Sequence, residues 1–197
     1  MEVSAQMALR LNAVLVASRT SRLVFDCNRP PDASDAMPEQ SEVFKIPGNV
    51  DLTAGQKADR VAAYYQPFHA TVAEVIAQKQ RPILITVHSF TPVYNGKVRD
   101  VEIGVLHDSD ARLADALLSR TGARMPHMVR RNDPYGPQDG VTHTLRKHAI
   151  PDGNLNVMLE VRNDLISSRE AQIEMADLLS DWMSEALSEL GAGLCKR

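Results

Sequence analysis

Apolar residues recur along the chain at two spacings. Spacing of three to four residues predicts helices over residues 4–18, 54–79, 110–121, 142–149 and 168–190. Short apolar runs between turn-forming residues predict strands over 22–25, 82–88, 101–106 and 155–161. Pro67 should kink or divide the second helix, because proline lacks the N–H that an interior helical position donates.

The order of these segments predicts the fold class. Strands that alternate with helices favour an α/β fold, a three-layer helix–sheet–helix arrangement with a mainly parallel mixed sheet. The run at 82–88 is almost continuously apolar, which is typical of a central strand covered on both faces. Residues 27–54 carry no periodic pattern and predict a long loop. Without an internal repeat or linker, we expect a single domain over residues 1–197.

Composition narrows the class of partner. The chain has 197 residues, is 44% hydrophobic and carries a net charge of −3, so it is globular and offers nucleic acid no electrostatic attraction. No leader or membrane-length apolar run occurs, and the two cysteines lie far apart. We therefore expect a cytoplasmic protein that binds neither nucleic acid nor membrane; its expected partner, a small-molecule carboxylate, follows from the arginines and the resemblance described below. The sequence leaves a homo-oligomer open.

Polar residues follow three of the predicted strands. Asn28 and Arg29 follow the first, His88 ends the second, and Glu160 and Arg162 end the last. Ligands of open α/β sheets bind beyond the carboxyl ends of the strands. An imidazole suits a metal ion, a carboxylate can move a proton, and guanidinium groups grip carboxylates. This combination suits hydrolysis of an anionic substrate.

Each of these residues also has a structural interpretation. A single histidine at a strand end is often only hydrogen-bonded, Glu160 and Arg162 could form an exposed ion pair, and Asn28 with Arg29 could stabilise the loop. Tyr135, in the segment Asn-Asp-Pro-Tyr-Gly, could reach a pocket from a loop or simply serve the turn. The sequence lacks a glycine-rich phosphate loop and a G-x-S-x-G motif.

Four segments together resemble the N-formylglutamate amidohydrolase family. They are residues 21–29 (SRLVFDCNR), 87–92 (VHSFTP), 131–135 (RNDPY) and 158–166 (MLEVRNDLI). Their order and spacing fit that family over nearly the whole chain, and several motifs in one order are more specific than one alone.

The resemblance implies a zinc-exopeptidase-like (phosphorylase/hydrolase-like) fold and a zinc-dependent amidohydrolase. In that reading His88 is a Zn²⁺ ligand and Glu160 is the general base. Asn28 and Arg29 hold a substrate carboxylate, and Arg162 and Tyr135 are further substrate contacts. The products would be a carboxylate such as formate and an amino acid such as glutamate.

One departure from the family pattern concerns the start of the chain. The family usually begins with a strand and a histidine-containing segment that supplies further metal ligands, whereas Met1 stands here where the first helix begins. Because catalytic zinc normally takes three protein ligands, we expect a chain that lacks this segment and has an incomplete metal site.

Three functions remain open at this point. The first is a metal-dependent hydrolase of N-formyl or other N-acyl amino acids. The second is a degenerate, non-catalytic member of the family that binds small carboxylates or a protein partner. The third is an esterase or peptidase of the same fold acting on other N-acyl substrates.

Overall fold

The computed structural model of the protein describes residues 1–192, with the side chains of 123 and 124 excepted. Seven α-helices lie in this part of the chain: α1 Glu2–Arg10, α2 Ala54–Arg60, α3 Gln66–Ala77, α4 Arg112–Leu118, α5 Thr121–Arg124, α6 His143–His148 and α7 Arg169–Glu189. A π-helical stretch, Val61–Tyr65, joins α2 to α3. Cys195 lies outside the described residues.

Eight strands accompany the helices within residues 1–192. They are β1 Gln40–Ser41, β2 Phe44–Lys45, β3 Leu84–Phe90, β4 Val93–Tyr94, β5 Lys97–Val98, β6 Ile103–Leu106, β7 Val129–Arg131 and β8 Asn156–Arg162. The internal contacts divide the chain into two compact units, residues 1–15 with 83–197 and residues 16–82. Each unit has a hydrophobic core of its own. We call them the sheet unit and the 16–82 unit.

The sheet unit is built on a four-stranded sheet in the order β3-β8-β6-β7. The β3–β8 and β6–β7 pairs are parallel and the β6–β8 pair is antiparallel, so the sheet is mixed and mostly parallel. The prediction of an α/β fold with a mixed, mainly parallel sheet and flanking helices is therefore confirmed. The narrower expectation of a zinc-exopeptidase-like fold stays a prediction.

Helices cover both faces of this sheet. Because successive strand residues point to opposite faces, Val157, Leu159 and Val161 share one face and Met158 lies on the other. The first face packs against α1, α4 and α7 in the main core. The second packs against Leu145 of α6 in a smaller cluster with Leu106. Three layers result, with the sheet in the middle.

Strand β8 is buried along almost its whole length, whereas β3 stands at the edge of the sheet. The prediction that 82–88 forms a central strand is therefore wrong, and six of the seven residues of β3 are half-buried or exposed. An apolar run indicates burial of the faces of a strand, but it does not reveal whether both backbone edges are paired.

The 16–82 unit packs a small core around Phe25, Cys27 and Tyr65. Phe25 is buried, yet residues 22–25 form a turn in which Ser21 O accepts a hydrogen bond from Val24 N, so the predicted strand is wrong. A four-residue apolar run is too short for its period to separate a strand from a buried turn. Burial of Cys27, with Asp26 nearby, raises the pKa of its thiol and keeps it protonated.

The first two predicted helices begin near the predicted residues but differ from the predictions in where they end or divide. The first helix ends at Arg10 because Asn12 adopts a left-handed conformation, φ 52°, which asparagine tolerates at helix ends. Val14 and Leu15 are consequently exposed rather than packed. The second helical segment begins at Ala54 as predicted, because Thr53 and Gln56 form a capping box. The π-helical stretch ends at Tyr65, two residues before Pro67.

A truncation in the main core should weaken the sheet unit. Leu179 of α7 is fully buried in that core, so Leu179→Ala should lower the free energy of unfolding by about 2–5 kcal/mol. Trp182, the single tryptophan, donates its indole N–H to Leu117 O inside the same core, so its fluorescence in urea reports on this unit. Leu9→Ala is the control because Leu9 is 72% exposed, and an equal loss in both variants would contradict the core assignment.

Candidate functional site

His88 and Glu160 lie side by side on adjacent strands. They are register partners in the parallel β3–β8 pair, so their side chains leave the sheet on the same face. Neighbouring strands of a sheet lie about 4.7–4.9 Å apart, so the two side chains start close together. Glu160 is buried, with 4% of its surface exposed, and His88 is half-buried. The structure thus brings a carboxylate and an imidazole together.

The neighbour of Glu160 on the other side is Gly104 of β6. We call His88, Glu160 and Gly104 the polar row, because they are aligned across three strands. An added Cβ at Gly104 would stand 2.4 Å from the backbone oxygen of Asp133 and 3.2 Å from Glu160 Cβ. Only glycine leaves room here for the 132–136 loop to pass over the sheet beside Glu160.

Asn132 fixes this loop to β6. Its backbone N–H donates to Val105 O, and its side-chain Oδ1 accepts from His107 N at 2.9 Å. These bonds, together with the space at Gly104, set the course of the chain toward Tyr135. The Tyr135 ring packs against the small core under α6, which belongs to the same face as the polar row. The predicted contact Tyr135 therefore lies on the face that carries His88 and Glu160.

The guanidinium of Arg99 stands among three aromatic rings. Its central carbon is 4.6 Å from the ring centroid of Tyr94, 4.9 Å from that of Tyr135 and 5.6 Å from that of Phe90. All three distances are within the range of cation–π attraction. Arg99 Nη2 also donates to the Tyr135 hydroxyl at 3.0 Å. Arg99 therefore joins the end of β3, the β4–β5 hairpin and the 132–136 loop.

Arg162 lies two residues beyond Glu160 and is already densely bonded. Its Nε donates to Asp164, Nη1 donates to the carbonyl oxygens of Arg99 and Asp100, and Nη2 donates to Glu102 and Asp164. The Asp164 carboxylate raises the pKa of Arg162 above its usual value. Arg162 thus anchors the chain between β5 and β6 to the end of β8, and a substrate carboxylate would have to displace one of these acceptors.

Asn28 and Arg29 belong to the 16–82 unit, where both are buried. Asp26 Oδ1 accepts the Asn28 backbone N–H at 2.9 Å, a bond that shapes the turn. Arg29 Nε forms an ion pair with Asp35 Oδ2 at 2.6 Å, and its Nη1 donates to Asn28 O. The turn therefore holds an amide and a guanidinium next to each other.

The zinc site implied by the resemblance can be compared with the side chains present. Within residues 1–192 of the structure, no three or more His, Cys, Asp and Glu side chains are grouped to hold a metal ion. A catalytic zinc normally takes three protein ligands. The described residues therefore do not by themselves fit such a site, and we assign no step to a metal ion. His88 as a zinc ligand stays a prediction.

Another histidine on α6 is buried near the same face. Burial, with the Lys147 ammonium as a second cause, lowers the pKa of the His148 imidazole and favours its neutral form at pH 7.

No helix among the described residues combines the length and the apolar character that crossing a bilayer requires.

Sequence patterns alone did not single out Gly104 or Arg99. A glycine in the middle of the apolar run Ile-Gly-Val-Leu is a signal for close backbone approach. Asn95-Gly96, in which both residues have positive φ, is the usual turn of a two-residue hairpin. Such a hairpin places Arg99 just after its second strand. What each residue contacts depends on segments distant in sequence, so its role could not be inferred from those signals.

The chain matches a known protein family and a solved structure. The family profile described as N-formylglutamate amidohydrolase matches residues 2–167. A solved structure, "The crystal structure of gene product Atu2144 from Agrobacterium tumefaciens", is 52% identical, with a TM-score of 0.93 over 96% of this chain and 76% of that chain. No curated protein matches the chain.

Filling the space at Gly104 should disturb the site. In Gly104→Ala the new methyl group collides with the Asp133 carbonyl, so we expect a loss of about 1–3 kcal/mol in unfolding free energy, measured by urea denaturation. Gly122→Ala is the matched control, because an added Cβ there meets nothing within 4 Å. A Gly104→Ala variant as stable as this control would refute the close approach.

Proposed function

Because the chain belongs to the N-formylglutamate amidohydrolase family, we propose that it hydrolyses the amide bond of N-formylglutamate or a similar N-acyl amino acid, with Glu160 as general base. Family membership assigns an amidohydrolase-type activity, and the substrate and the residue roles are our proposal. The observation that carries it is the pairing of Glu160 with His88 on one face of the sheet, beside the Tyr135 loop.

The proposed reaction needs one proton acceptor and one proton donor. Glu160 takes a proton from the attacking water as the water oxygen bonds to the formyl carbon. The same carboxyl group then returns the proton to the leaving nitrogen as the C–N bond breaks. The products are formate and glutamate. The small exposed fraction of Glu160 limits competing bulk water, which strengthens electrostatic interactions in the site.

Substrate binding is proposed for the residues that can recognise carboxylates or carbonyls. In the sheet unit, Tyr135 offers a hydroxyl, and Arg162 can contribute only by exchanging one of its present acceptors. In the 16–82 unit, the guanidinium of Arg29 and the amide of Asn28 stay predicted contacts for a substrate carboxylate. Guanidinium groups bind carboxylates in bidentate fashion, so they can orient the substrate as well as attract it.

The test of the general base is Glu160→Gln, which keeps the shape of the side chain and removes its basicity. We expect the rate of formate release from N-formylglutamate at saturating substrate to fall by roughly 10²–10⁴-fold, the usual contribution of general base catalysis. Glu174→Gln, on an exposed position of α7, is the control and should retain full activity. Unchanged turnover in Glu160→Gln would remove Glu160 from the mechanism.

The second candidate function is a family member that binds small carboxylates, or a protein partner, without cleaving an amide bond. The finding that favours it is that residues 1–192 group no three metal-capable side chains. Elemental analysis of the purified protein separates the candidates. Stoichiometric zinc that disappears in His88→Ala supports a metal-dependent amidohydrolase. Metal-free protein that binds N-formylglutamate but releases no formate supports the binding function.

A further inference from the structure

The substrate class proposed above carries more negative charge than the identified contacts can readily balance. N-formylglutamate has two carboxylates. In the sheet unit, the N–H groups of Arg162, one of the proposed substrate contacts, already donate to Asp164, Glu102 and two backbone carbonyls. A site that distinguishes glutamate from an uncharged analogue needs a further cation near the polar row.

Arg99 has the electrostatic properties of that cation. Its two hydrogen bonds go to neutral oxygens, the Tyr135 hydroxyl and the Thr91 carbonyl, the latter at 3.4 Å. Within the described part of the chain no carboxylate forms an ion pair with it. Three aromatic rings hold the guanidinium in place without neutralising its charge. A guanidinium has five N–H donors, so Arg99 keeps donors for another ligand.

The contact of Arg99 with Phe90 places it near the end of β3. Phe90 follows His88 by two residues and therefore lies on the same face, roughly 6–7 Å further along the strand. The Arg99 guanidinium carbon is 5.6 Å from the Phe90 ring centroid. In an extended N-formylglutamate the formyl carbon and the side-chain carboxylate carbon are about 6 Å apart. Arg99 thus contacts the residue of β3 that lies about one side-chain length beyond His88.

There is open space beside this residue. A surface cavity of about 270 Å³ is lined by Arg99 together with Val98, Asp100, Val101, Arg130 and Asp133. The two arginines and two aspartates of this lining balance in charge, and Arg130 Nε lies 3.8 Å from Asp133 Oδ2. Any preference for an anion must therefore come from direct contact with the Arg99 guanidinium rather than from a general positive field.

We propose that Arg99 is a specificity residue that binds the side-chain carboxylate of the substrate. This inference rests on the proposed function for the identity of the ligand. In this proposal the rings of Tyr94, Phe90 and Tyr135 orient the N–H donors of the Arg99 guanidinium. An acidic substrate is then bound in preference to its uncharged isostere.

The test compares N-formyl-L-glutamate with N-formyl-L-glutamine, which differ by one charge and hardly in shape. Calorimetric Kd values and formate release are measured for the wild type, Arg99→Gln and Arg99→Lys. We expect the wild type to prefer the glutamate compound by roughly 10- to 100-fold, the usual effect of a charge-assisted hydrogen bond. Arg99→Gln should abolish the preference, because Kd for the glutamate compound should rise by more than Kd for the glutamine compound. Arg99→Lys should retain part of it, because lysine keeps the charge but lacks the fork.

Two controls separate this effect from others. Arg169→Gln removes an equal charge from an exposed position on α7, whose buried side chains pack on the other face of the sheet, and should leave the preference intact. Thermal unfolding and circular dichroism show whether Arg99→Gln is folded, and a folded Arg99→Lys with partial preference supports direct contact.

The outcomes for binding and turnover are distinguishable. An Arg99-dependent binding preference without formate release would overturn the proposed hydrolysis and support Arg99 as the specificity residue. Formate release with the same preference in wild type and Arg99→Gln would support the hydrolysis and overturn the role of Arg99. A wild type that binds both compounds equally, or neither, would also overturn it.

Discussion

The candidate site depends on the backbone pairing of β8 with a strand on each side. One ladder aligns Glu160 with His88 and the other aligns it with Gly104. A shift of one residue in either pairing would turn the corresponding side chains to opposite faces of the sheet. The alternation in β8 resists such a shift, because it would carry Val157, Leu159 and Val161 out of the main core. Hydrophobic burial on one face thus fixes the chemistry on the other.

Charged side chains then hold the connecting segments against the strand ends. Arg162 binds two backbone carbonyls and the Glu102 carboxylate, and so fixes the chain that leads from the hairpin into β6. Arg99 performs the corresponding task for the Tyr135 loop, through a hydroxyl group and aromatic rings. The two arginines differ in their remaining hydrogen-bond donors. Those of Arg162 are used within the protein, whereas among the described residues the hydrogen bonds and ring contacts of Arg99 are with neutral groups.

Several parts of the fold followed from local patterns because local physics determines them. The capping box at Thr53 starts a helix where it was predicted, and the Ser168 hydroxyl caps α7 by accepting the Ala171 N–H. The apolar run at 155–161 was predicted as a strand, and the structure has the buried strand β8 there. Residues 22–25 were predicted as a strand but form a turn around the buried Phe25, and the short, half-exposed strand at 129–131 was not predicted. Neither segment has a distinctive apolar period.

The sequence by itself determined the α/β class, most of the helices, the strands β3, β6 and β8, and the residue types available for chemistry, including His88, Glu160 and Tyr135. These depend on periodicity and composition, which are local properties. Only the tertiary structure decided that β3 lies at an edge, that Gly104 completes the polar row and that Arg99 is surrounded by three rings. The reason is that strand neighbours such as His88 and Glu160 are far apart along the chain, and their pairing is selected by the packing of the whole sheet unit rather than by either segment.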